Sequence, residues 1–362
     1  MSTTGTTRTT DVTEAAVAIE TADATDMTGR GGLSAPRRRL LLAGGAVVAS
    51  TALPRAATAQ AWPTRPIRII AAQAPGSSND ATARAFADYF NAQLGVPIVI
   101  ENKPGGAGMI AAEAVARSAP DGYTFLITLH SQLAQAPVLI KKLPIDPNKD
   151  LVPIGSISTG VGPLVVKKDL PVNNMRELIE LARKRPLAVG NYSIGSGWQI
   201  MVMQLARQTG AQLDIINYKG TGPMIVDLAA GQIDVGCGSL AGLGPSLQRG
   251  AIRAISITTG ARSTKLPGVP TLIEDGFTGP AFESLLECNM LLGPAGTPKE
   301  VVARLGQLIF ESVTQSQKVK QVREQLGSDD VPMVGEALTK FIATSWPAYR
   351  VLTKELGLSI DG

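Results

Sequence analysis

Short apolar, β-rich runs alternate with amphipathic segments along the chain from residue 67 onward. The first series predicts strands at 67–72, 98–100 and 123–128, and helices at 81–94 and from the glycine-rich run 104–108 to Ala116. The second series predicts strands at 187–190, 213–216, 233–235 and 252–257, and helices at 175–184, 198–210 and 223–230. Strands that alternate with helices of this length predict parallel sheets with right-handed crossovers, covered on both faces.

Two further apolar runs, 164–166 and 290–292, lie between the two series and after the second. We predict that these strands carry the chain from one sheet to the other and back. Three more helices are predicted at 298–311, 317–326 and 336–356, where they would pack on the first sheet. The result is an α/β architecture of two lobes joined by a two-strand hinge. Lobe 1 is predicted at 62–163 plus 288–362, and lobe 2 at 164–287.

The first 61 residues lack this alternation and predict a targeting segment instead of a folded element. Three arginines at 37–39 precede the apolar run 40–53. This run is shorter than the roughly 20 residues of a membrane-spanning helix, so we predict a signal peptide that is cleaved after Ala59 or Ala61. We prefer Ala61, because Trp62 then opens the mature chain.

The arginine pair of this signal predicts its export route. Arg38 and Arg39 are followed by three leucines, which favours the twin-arginine pathway. An ordinary Sec signal with an extra arginine is the alternative. No second apolar run of membrane length follows, so we expect the cleaved product to be soluble in the periplasm.

Composition excludes intrinsic disorder along most of the chain and argues against a nucleic-acid partner. The 362 residues are 44% hydrophobic and carry 34 Lys+Arg against 30 Asp+Glu, a formal net charge of +4. Lys and Arg are scattered and are not clustered with aromatic residues. The two cysteines, Cys237 and Cys288, leave two alternatives open in an oxidising compartment: a disulfide, or two buried small apolar residues.

The sequence lacks the motifs of the common enzyme classes. It has no P-loop, no dinucleotide-binding fingerprint, no CxxC and no HExxH, so we expect no cofactor and no metal. Its single histidine, His130, follows a predicted strand, where a histidine is more often a pocket or core residue than a catalytic base. We therefore expect a binding protein and not an enzyme. A hydrolase or isomerase is the alternative from another class, and it requires turnover that His130→Ala abolishes.

Loops rich in Gly, Ser and Asn follow several predicted strands, at 75–80, 193–197 and 236–239. Open α/β sheets bind ligands at the carboxyl ends of their strands, where backbone N–H groups and helix N-termini are exposed. Two such N-termini that face each other across a cleft favour an anion with two charged ends. The alternative is that these turns only connect strands to helices.

Many short segments of the predicted mature chain carry a family resemblance. They are Trp62–Ile70, Pro75–Gly76 with Asp80 and Ala83–Arg84, Val99–Gly108, Asp121–Phe125, Tyr218–Gly220, Asp227–Leu228 with Ala230–Val235, Leu266–Thr271 and Gly293–Pro298. In this order they resemble the Bug family, the extracytoplasmic solute receptors of tripartite tricarboxylate transporters. The resemblance implies a type II periplasmic-binding-protein fold whose two α/β lobes close like a hinge on a small carboxylate.

The same resemblance implies partners and pocket residues. The partners are a small carboxylate ligand and the membrane subunits of a transporter, with the receptor itself a monomer. A ligand sensor for a two-component signalling system is the alternative role. The implied ligand-binding residues are Pro75, Gly76, Ser77, Ser78, Asn79, His130, Ser131, Gly195, Ser196, Gly197, Trp198, Tyr218, Lys219, Gly220, Gly238 and Ser239.

The chain departs from the family pattern at Trp198, in a region where the family usually has small residues and a histidine. An indole beside an anion-binding loop suits an aromatic ring, so we hypothesise that the ligand is an aromatic or otherwise bulky carboxylate. The alternative is that Trp198 faces the protein interior. For Lys219, a point charge near the ligand and a solvated turn residue both stay open, and we expect Asp80 to cap its helix.

Overall fold

The computed structural model describes residues 62–158, 162–328 and 330–360. The predicted signal peptide, its arginine pair and both candidate cleavage sites lie outside the described residues. Within the described ranges, no helix is long and apolar enough to cross a membrane.

Six strands form one mixed sheet, here called sheet A. They are β1 (Ile67–Ala71), β2 (Ile98–Asn102), β3 (Thr124–Leu129), β4 (Leu151–Ser158), β10 (Cys288–Pro294) and β11 (Met333–Val334), in the spatial order β11-β4-β10-β3-β1-β2. Strand β1 pairs in parallel with β2 and β3. Strand β10 runs antiparallel to both of its neighbours, β3 and β4.

Five strands form the second sheet, sheet B. They are β5 (Pro163–Lys167), β6 (Leu187–Asn191), β7 (Leu213–Asn217), β8 (Val235–Cys237) and β9 (Ile252–Ile257), in the spatial order β7-β6-β8-β5-β9. Strand β6 pairs in parallel with β7 and β8, whereas β5 runs antiparallel to β8 and β9. Each sheet therefore combines parallel and antiparallel strand pairs, and in sheet A both β10 and β11 run opposite to the other strands.

The two strands that join the sheets, β5 and β10, run antiparallel to their neighbours, a direction that the sequence analysis did not predict. Each of these strands is reached from the other sheet, β5 directly after β4 and β10 through the long segment that follows β9. A strand that arrives in this way is not held parallel by the helical crossover of a βαβ unit. The predicted runs 164–166 and 290–292 lie inside these two strands. The exact lobe boundaries stay a prediction.

Eleven helices accompany the sheets in the described residues. They are α1 (Ser78–Leu94), α2 (Met109–Ala116), α3 (His130–Leu139), α4 (Met175–Lys184), α5 (Gly197–Thr209), α6 (Thr221–Ala229), α7 (Leu240–Gln248), α8 (Pro280–Glu283), α9 (Lys299–Gln315), α10 (Gln317–Leu326) and α11 (Gly335–Glu355). A 3₁₀ turn at Gly106–Gly108 precedes α2. Helix α11 packs on α3, where Arg350 Nε donates to the Ala134 carbonyl oxygen at 3.0 Å.

The sequence pattern missed α3, α7 and β4. Helix α3 contains Pro137 and α7 contains Pro245, and a proline inside a segment argues against a helix because it removes a backbone donor. Strand β4 contains Pro153 and Gly155, both of which disfavour a strand interior. In all three elements, packing against neighbours outweighs local propensity.

Serine side chains start three helices in the Gly/Ser loops. Ser77, Ser196 and Ser239 each accept, through Oγ, a hydrogen bond from the backbone N–H three residues later, at 3.3, 3.2 and 3.4 Å. Such a cap stabilises a helix start by about 1 kcal/mol. The caps fix where α1, α5 and α7 begin, and other N–H groups of each first turn have no partner inside the helix.

Candidate ligand-binding site

A cavity lies where loops from both sheets meet. Its volume is about 60 Å³. It is lined by Ser78, Leu129, Gly162, Tyr192, Gly197, Trp198, Met201, Thr221, Cys237, Gly238, Ser239, Thr258, Thr259, Leu285, Leu286, Glu287 and Tyr349. The half of the molecule around sheet A and the half around sheet B, called the two halves below, thus enclose a small space. Its walls are made of hydroxyl, aromatic and aliphatic groups.

Four helices begin at this cavity. Ser78, Gly197 and Thr221 are the first residues of α1, α5 and α6, and Ser239 caps α7. A helix N-terminus carries unpaired backbone N–H groups and a partial positive charge, so it attracts an anion. The described residues that line the cavity include no Lys or Arg. The positive potential at the cavity wall therefore comes from the backbone.

Glu287 supplies an acidic side chain to the same wall. Its Oε2 accepts hydrogen bonds from the backbone N–H of Gly197, at 3.0 Å, and from the Ser131 hydroxyl, at 2.9 Å. Burial raises the pKa of Glu287 to about 7, although the hydrogen bonds from Gly197 and Ser131 act in the opposite direction. A carboxyl group of the protein thus occupies the N-terminus of α5.

His130 holds the segment that carries Glu287. The imidazole is fully buried, and its Nε2 lies 2.5 Å from the Leu286 carbonyl oxygen and 3.8 Å from Glu287 Oε1. Because a carbonyl oxygen only accepts, Nε2 carries the proton. Burial lowers the pKa of His130 to about 4, so the ring is neutral near pH 7. Tyr349 Oη donates to the same carbonyl at 3.2 Å.

Direct hydrogen bonds connect the loops of the two sheets beside the cavity. The backbone N–H of Ala74, after β1, donates to the Lys219 carbonyl oxygen, after β7, at 2.9 Å. Gln135 Nε2 in α3 donates to the Gly195 carbonyl oxygen before α5, at 2.6 Å. In this conformation the cleft between the two halves is closed.

A family model described as the tripartite tricarboxylate transporter family receptor matches residues 82–358. The chain belongs to this family. The receptor is 30% identical to protein BugT of Bordetella pertussis over 325 residues, which cover 89% of the chain and 98% of BugT. The predicted family is thereby confirmed.

Solved structures of proteins with similar sequences share the receptor's fold. The structure of R. palustris Rpa4515 with adipate matches with a TM-score of 0.76 and 29% identity, over 83% of this chain and all of that chain. The periplasmic binding protein BugD matches with a TM-score of 0.74 and 30% identity, over the same shares. The predicted periplasmic-binding-protein fold is confirmed.

Some of the predicted site residues line the cavity and others support it. Those at the wall are Ser78, Gly197, Trp198, Gly238 and Ser239. Ser77 and Ser196 cap helices, and Gly195 takes part in the closing contacts. A Cβ atom added at Gly220 would lie 3.5 Å from Ala74, so the two halves approach each other closely at this glycine. His130 and Ser131 act on Leu286 and Glu287 instead of lining the cavity themselves.

The remaining predicted residues point elsewhere. Pro75 and Gly76 are exposed, and Asn79 donates from Nδ2 to Asn289 Oδ1 in a buried contact. Tyr218 Oη donates to Asp227 at 2.7 Å, and the Lys219 side chain is exposed, which favours the solvated-turn alternative. These side chains are not among those that line the cavity.

Asp80 has partners within its own half of the molecule. It forms an ion pair with Arg84 at 2.9 Å and accepts hydrogen bonds from the Gly76 N–H and Asn102 Nδ2. The carboxylate lies in the first turn of α1, where it stabilises the helix start. The expectation that Asp80 caps the helix is therefore wrong, because Ser77 is the cap and Asp80 lies three residues after it.

Trp198 satisfies parts of both alternatives proposed for it. The indole lines the cavity, yet it is only 3% exposed and belongs to the main hydrophobic core. Its Nε1 donates to the Gly190 carbonyl oxygen at 3.0 Å. The ring is therefore fixed by its own half of the molecule before any ligand binds.

Sequence reasoning missed Glu287, Thr221 and Tyr349. Thr221 is the first residue of α6, whereas the sequence pattern predicted that this helix starts two residues later. The pattern therefore found the helix but left Thr221 in the preceding loop. Glu287 is one charge among Leu285, Leu286 and Cys288, and an acidic residue inside an apolar run was the signal that could have drawn attention to it. Tyr349 comes from a helix near the C-terminal end, and the sequence carries no sign that this helix reaches the cleft.

Proposed function

We propose that this receptor captures a small carboxylate in the cavity between its two sheets and passes it to the membrane subunits of a tripartite tricarboxylate transporter. The observation that carries the proposal is the convergence of four helix N-termini on one cavity whose described lining has no basic side chain. Backbone N–H groups and hydroxyls solvate a carboxylate without the need for a fixed counter-charge. The relative solved with adipate, a dicarboxylate, supports this ligand class.

Closure couples ligand binding to transporter recognition. The contact between Ala74 and Lys219 and the contact between Gln135 and Gly195 form only when the two halves meet. A ligand that touches helix starts on both sides adds contacts to the closed state alone, so affinity and closure belong to one equilibrium. The closed form is then the form that the membrane subunits recognise.

The arrangement around His130 supports a binding role over a hydrolase. Its Nε2 donates to the Leu286 carbonyl oxygen, and its Nδ1, which has no hydrogen-bond partner among the described residues, is buried and outside the cavity lining. A general base needs a free nitrogen within hydrogen-bond reach of a nucleophile or water in the site. The receptor is expected to return its ligand chemically unchanged, in the periplasm, as a monomer.

A thermal-shift screen of the purified full chain tests the proposal. The screen compares aliphatic and aromatic carboxylates with their neutral amides, and calorimetry confirms each hit. A ligand at 100 times its Kd adds about 2.7 kcal/mol to the free energy of unfolding, which raises Tm by several degrees. We expect shifts with carboxylates only and recovery of the ligand unchanged. Equal shifts with the amides, no shift at all, or a converted ligand would overturn the proposal.

A further inference from the structure

A groove on the surface, between α7 and α10, also joins the two halves of the molecule. Its volume is about 570 Å³, and it shares no lining residue with the ligand cavity. Helix α7 packs on α6 and β9 beside sheet B, whereas α10 packs on α1 and α9 beside sheet A. The groove therefore has one wall from each half, and the walls stay together only while the halves are closed.

The groove combines apolar and polar lining. Leu240, Leu247 and Leu266 are half-buried in it, and Gln248 and Gln325 are exposed. Half-buried leucines in a concave surface leave apolar area in contact with water, and a partner that covers this area gains free energy.

An ion pair connects the two walls of the groove. Lys265, which follows β9, places its Nζ 2.9 Å from Oε1 of Glu324 in α10. The two side chains are 45% and 70% exposed, so water screens the pair and it adds little to the stability of the closed form. The pair thus forms with closure but is too weak to hold the halves together by itself.

A basic notch continues the groove along α10. Its volume is about 300 Å³, and it shares Lys265 and Glu324 with the groove. Lys320 and Arg323 also line the notch. Lys320 is exposed and forms no ion pair among the described residues, and Arg323 donates to a backbone carbonyl oxygen. Positive charge on this surface is therefore available to a partner.

We propose that the groove and the notch together are the docking site for a membrane subunit of the transporter, which presents an acidic side chain beside an apolar one. The inference rests on the proposed function and goes beyond it, because it assigns the partner to a surface outside the ligand cavity. The apolar side chain enters the groove between α7 and α10. The acidic side chain pairs with Lys320 in the notch.

Dependence on closure supports this partner. A membrane subunit that accepts only the loaded receptor needs a difference in affinity between the open and the closed form. A surface with one wall on each half supplies this difference, because opening separates the leucines of α7 from α10. A surface on one half alone would be the same in both forms.

Charge complementarity favours an acidic partner over a basic one. In the described lining of groove and notch, the single carboxylate of Glu324 stands against three basic side chains, those of Lys265, Lys320 and Arg323. Asp330 adds a carboxylate beside the notch, where it accepts a hydrogen bond from a serine hydroxyl at 2.6 Å. An excess of positive charge remains at Lys320, so an acidic group is attracted and a basic group is repelled. Adhesion to anionic lipid takes larger clusters of basic residues, so the surface favours a protein partner.

Binding of the receptor to native membranes tests the proposal. Right-side-out vesicles from the organism that encodes the receptor are titrated with the full chain, loaded with the carboxylate that gives the largest shift in the thermal screen. We expect saturable binding that weakens without the carboxylate, because closure builds the groove. Binding should also weaken as salt is raised, because salt screens the notch. Protein-free liposomes of the same lipids should not bind the receptor.

Lys320→Glu is the decisive variant. It reverses the charge of an exposed side chain, so we expect Kd for the vesicles to rise about tenfold while Kd for the carboxylate, from calorimetry, stays within about twofold. Lys340→Glu is the matched control. Lys340 is exposed on α11 and lines neither the groove nor the notch, so the same change of charge there should leave vesicle binding intact.

A photo-cross-link identifies the partner. Gln248, exposed in the groove, is replaced by the photoreactive residue p-benzoylphenylalanine. Mass spectrometry of the linked peptide should place the bond in a membrane subunit of a tripartite tricarboxylate transporter, close to an Asp or Glu. The same replacement at Gln208, exposed on α5 and outside both surfaces, should give no such link.

The opposite results overturn the proposal. Equal binding to liposomes would assign the surface to lipid, and equal losses in Lys320→Glu and Lys340→Glu would show a response to net charge alone. Weaker carboxylate binding in Lys320→Glu would show that the surface only closes the receptor. Absence of saturable vesicle binding, or of a link to a membrane subunit, also overturns it. Each of these results leaves a receptor that binds a carboxylate. If the screen finds no carboxylate, the proposed function fails and the docking site fails with it.

Discussion

Gln135 Nε2 lies 2.6 Å from the Gly195 carbonyl oxygen, so one buried amide joins the two halves of the molecule. Its Oε1 accepts a hydrogen bond from Thr353 Oγ1 at 3.2 Å, so the same side chain also holds α11. Gly195 has a φ of +77°, a left-handed conformation that glycine adopts without strain. The contact therefore ties α3, α11 and the loop before α5 together beside the cavity.

Gln135→Ala tests the importance of this contact for closure. The substitution removes a donor that exists for Gly195 only in the closed state, so we expect Kd for a carboxylate ligand to rise roughly tenfold, about 1.4 kcal/mol. Calorimetry measures the change. Gln208→Ala is the control, because Gln208 is exposed and its Nε2 donates to the Thr278 carbonyl oxygen at 3.1 Å outside the cavity. Equal losses in both variants would contradict the prediction.

The buried groups Glu287 and His130 have opposite effects on stability as pH changes. The pKa of Glu287 is raised from 4.5 to about 7, so its contribution is complete below pH 4.5 and is lost as pH rises through about 7. The pKa of His130 is lowered from 6.5 to about 4, so its contribution is complete above pH 6.5 and is lost as pH falls through about 4. Between pH 4.5 and 6.5 the two slopes cancel.

Single substitutions should uncover each slope. In Glu287→Gln the free energy of unfolding should rise with pH between 4.5 and 6.5, by at most about 1.4 kcal/mol per pH unit. In His130→Gln it should fall with pH over the same interval. Urea unfolding of the three proteins across this interval measures the slopes. Parallel pH profiles would show that neither group titrates as its surroundings indicate.

Trp198 tests the hypothesis of an aromatic ligand. Because the indole is 3% exposed and packed in the core, Trp198→Ala should lower the free energy of unfolding by about 3–5 kcal/mol. Trp198→Leu keeps an apolar side chain at this position of the core and removes the aromatic ring. If the ring stacks on the ligand, this variant should weaken binding of benzoate more than binding of adipate. Unchanged relative affinities would assign Trp198 to the core alone.

The two cysteines should behave as buried thiols. Both are free in the structure, and Cys237 and Cys288 are 3% and 0% exposed. Burial raises the pKa of Cys237 to about 12 and that of Cys288 well above its ordinary value, so little thiolate forms at neutral pH. We expect no labelling by a thiol reagent in the folded protein and labelling of both cysteines in denaturant. Absence of labelling in denaturant would indicate a disulfide instead.

Local signals predicted α1, α5 and α6 with starts one to three residues late, and they missed α7. The Gly/Ser loops that hold the capping residues Ser77 and Ser196 were identified from the sequence, but the cap of α1 was expected at Asp80. Glu287 could not be placed in this way. Its partners, Ser131 and Gly197, are 156 and 90 residues away along the chain, and only the packed fold brings them together.

The strand directions show the same limit. Periodicity identified the apolar runs in β5 and β10, but a strand's direction depends on the side from which the chain enters the sheet. Helices α3 and α7 needed neighbours to outweigh Pro137 and Pro245. Tyr349 reaches the cleft because α11 packs on α3. These two helices are separated along the sequence by more than half of the described chain.

The anion-attracting part of this cavity belongs to the main chain, so no single amino-acid replacement can delete it. Four helix starts persist as long as the fold persists. Evolutionary change of ligand must therefore work through the few side chains that modify this shared background, such as Glu287, Met201 and Leu285. A receptor of this design can acquire a new solute by one or two substitutions while its ability to hold a carboxylate stays intact.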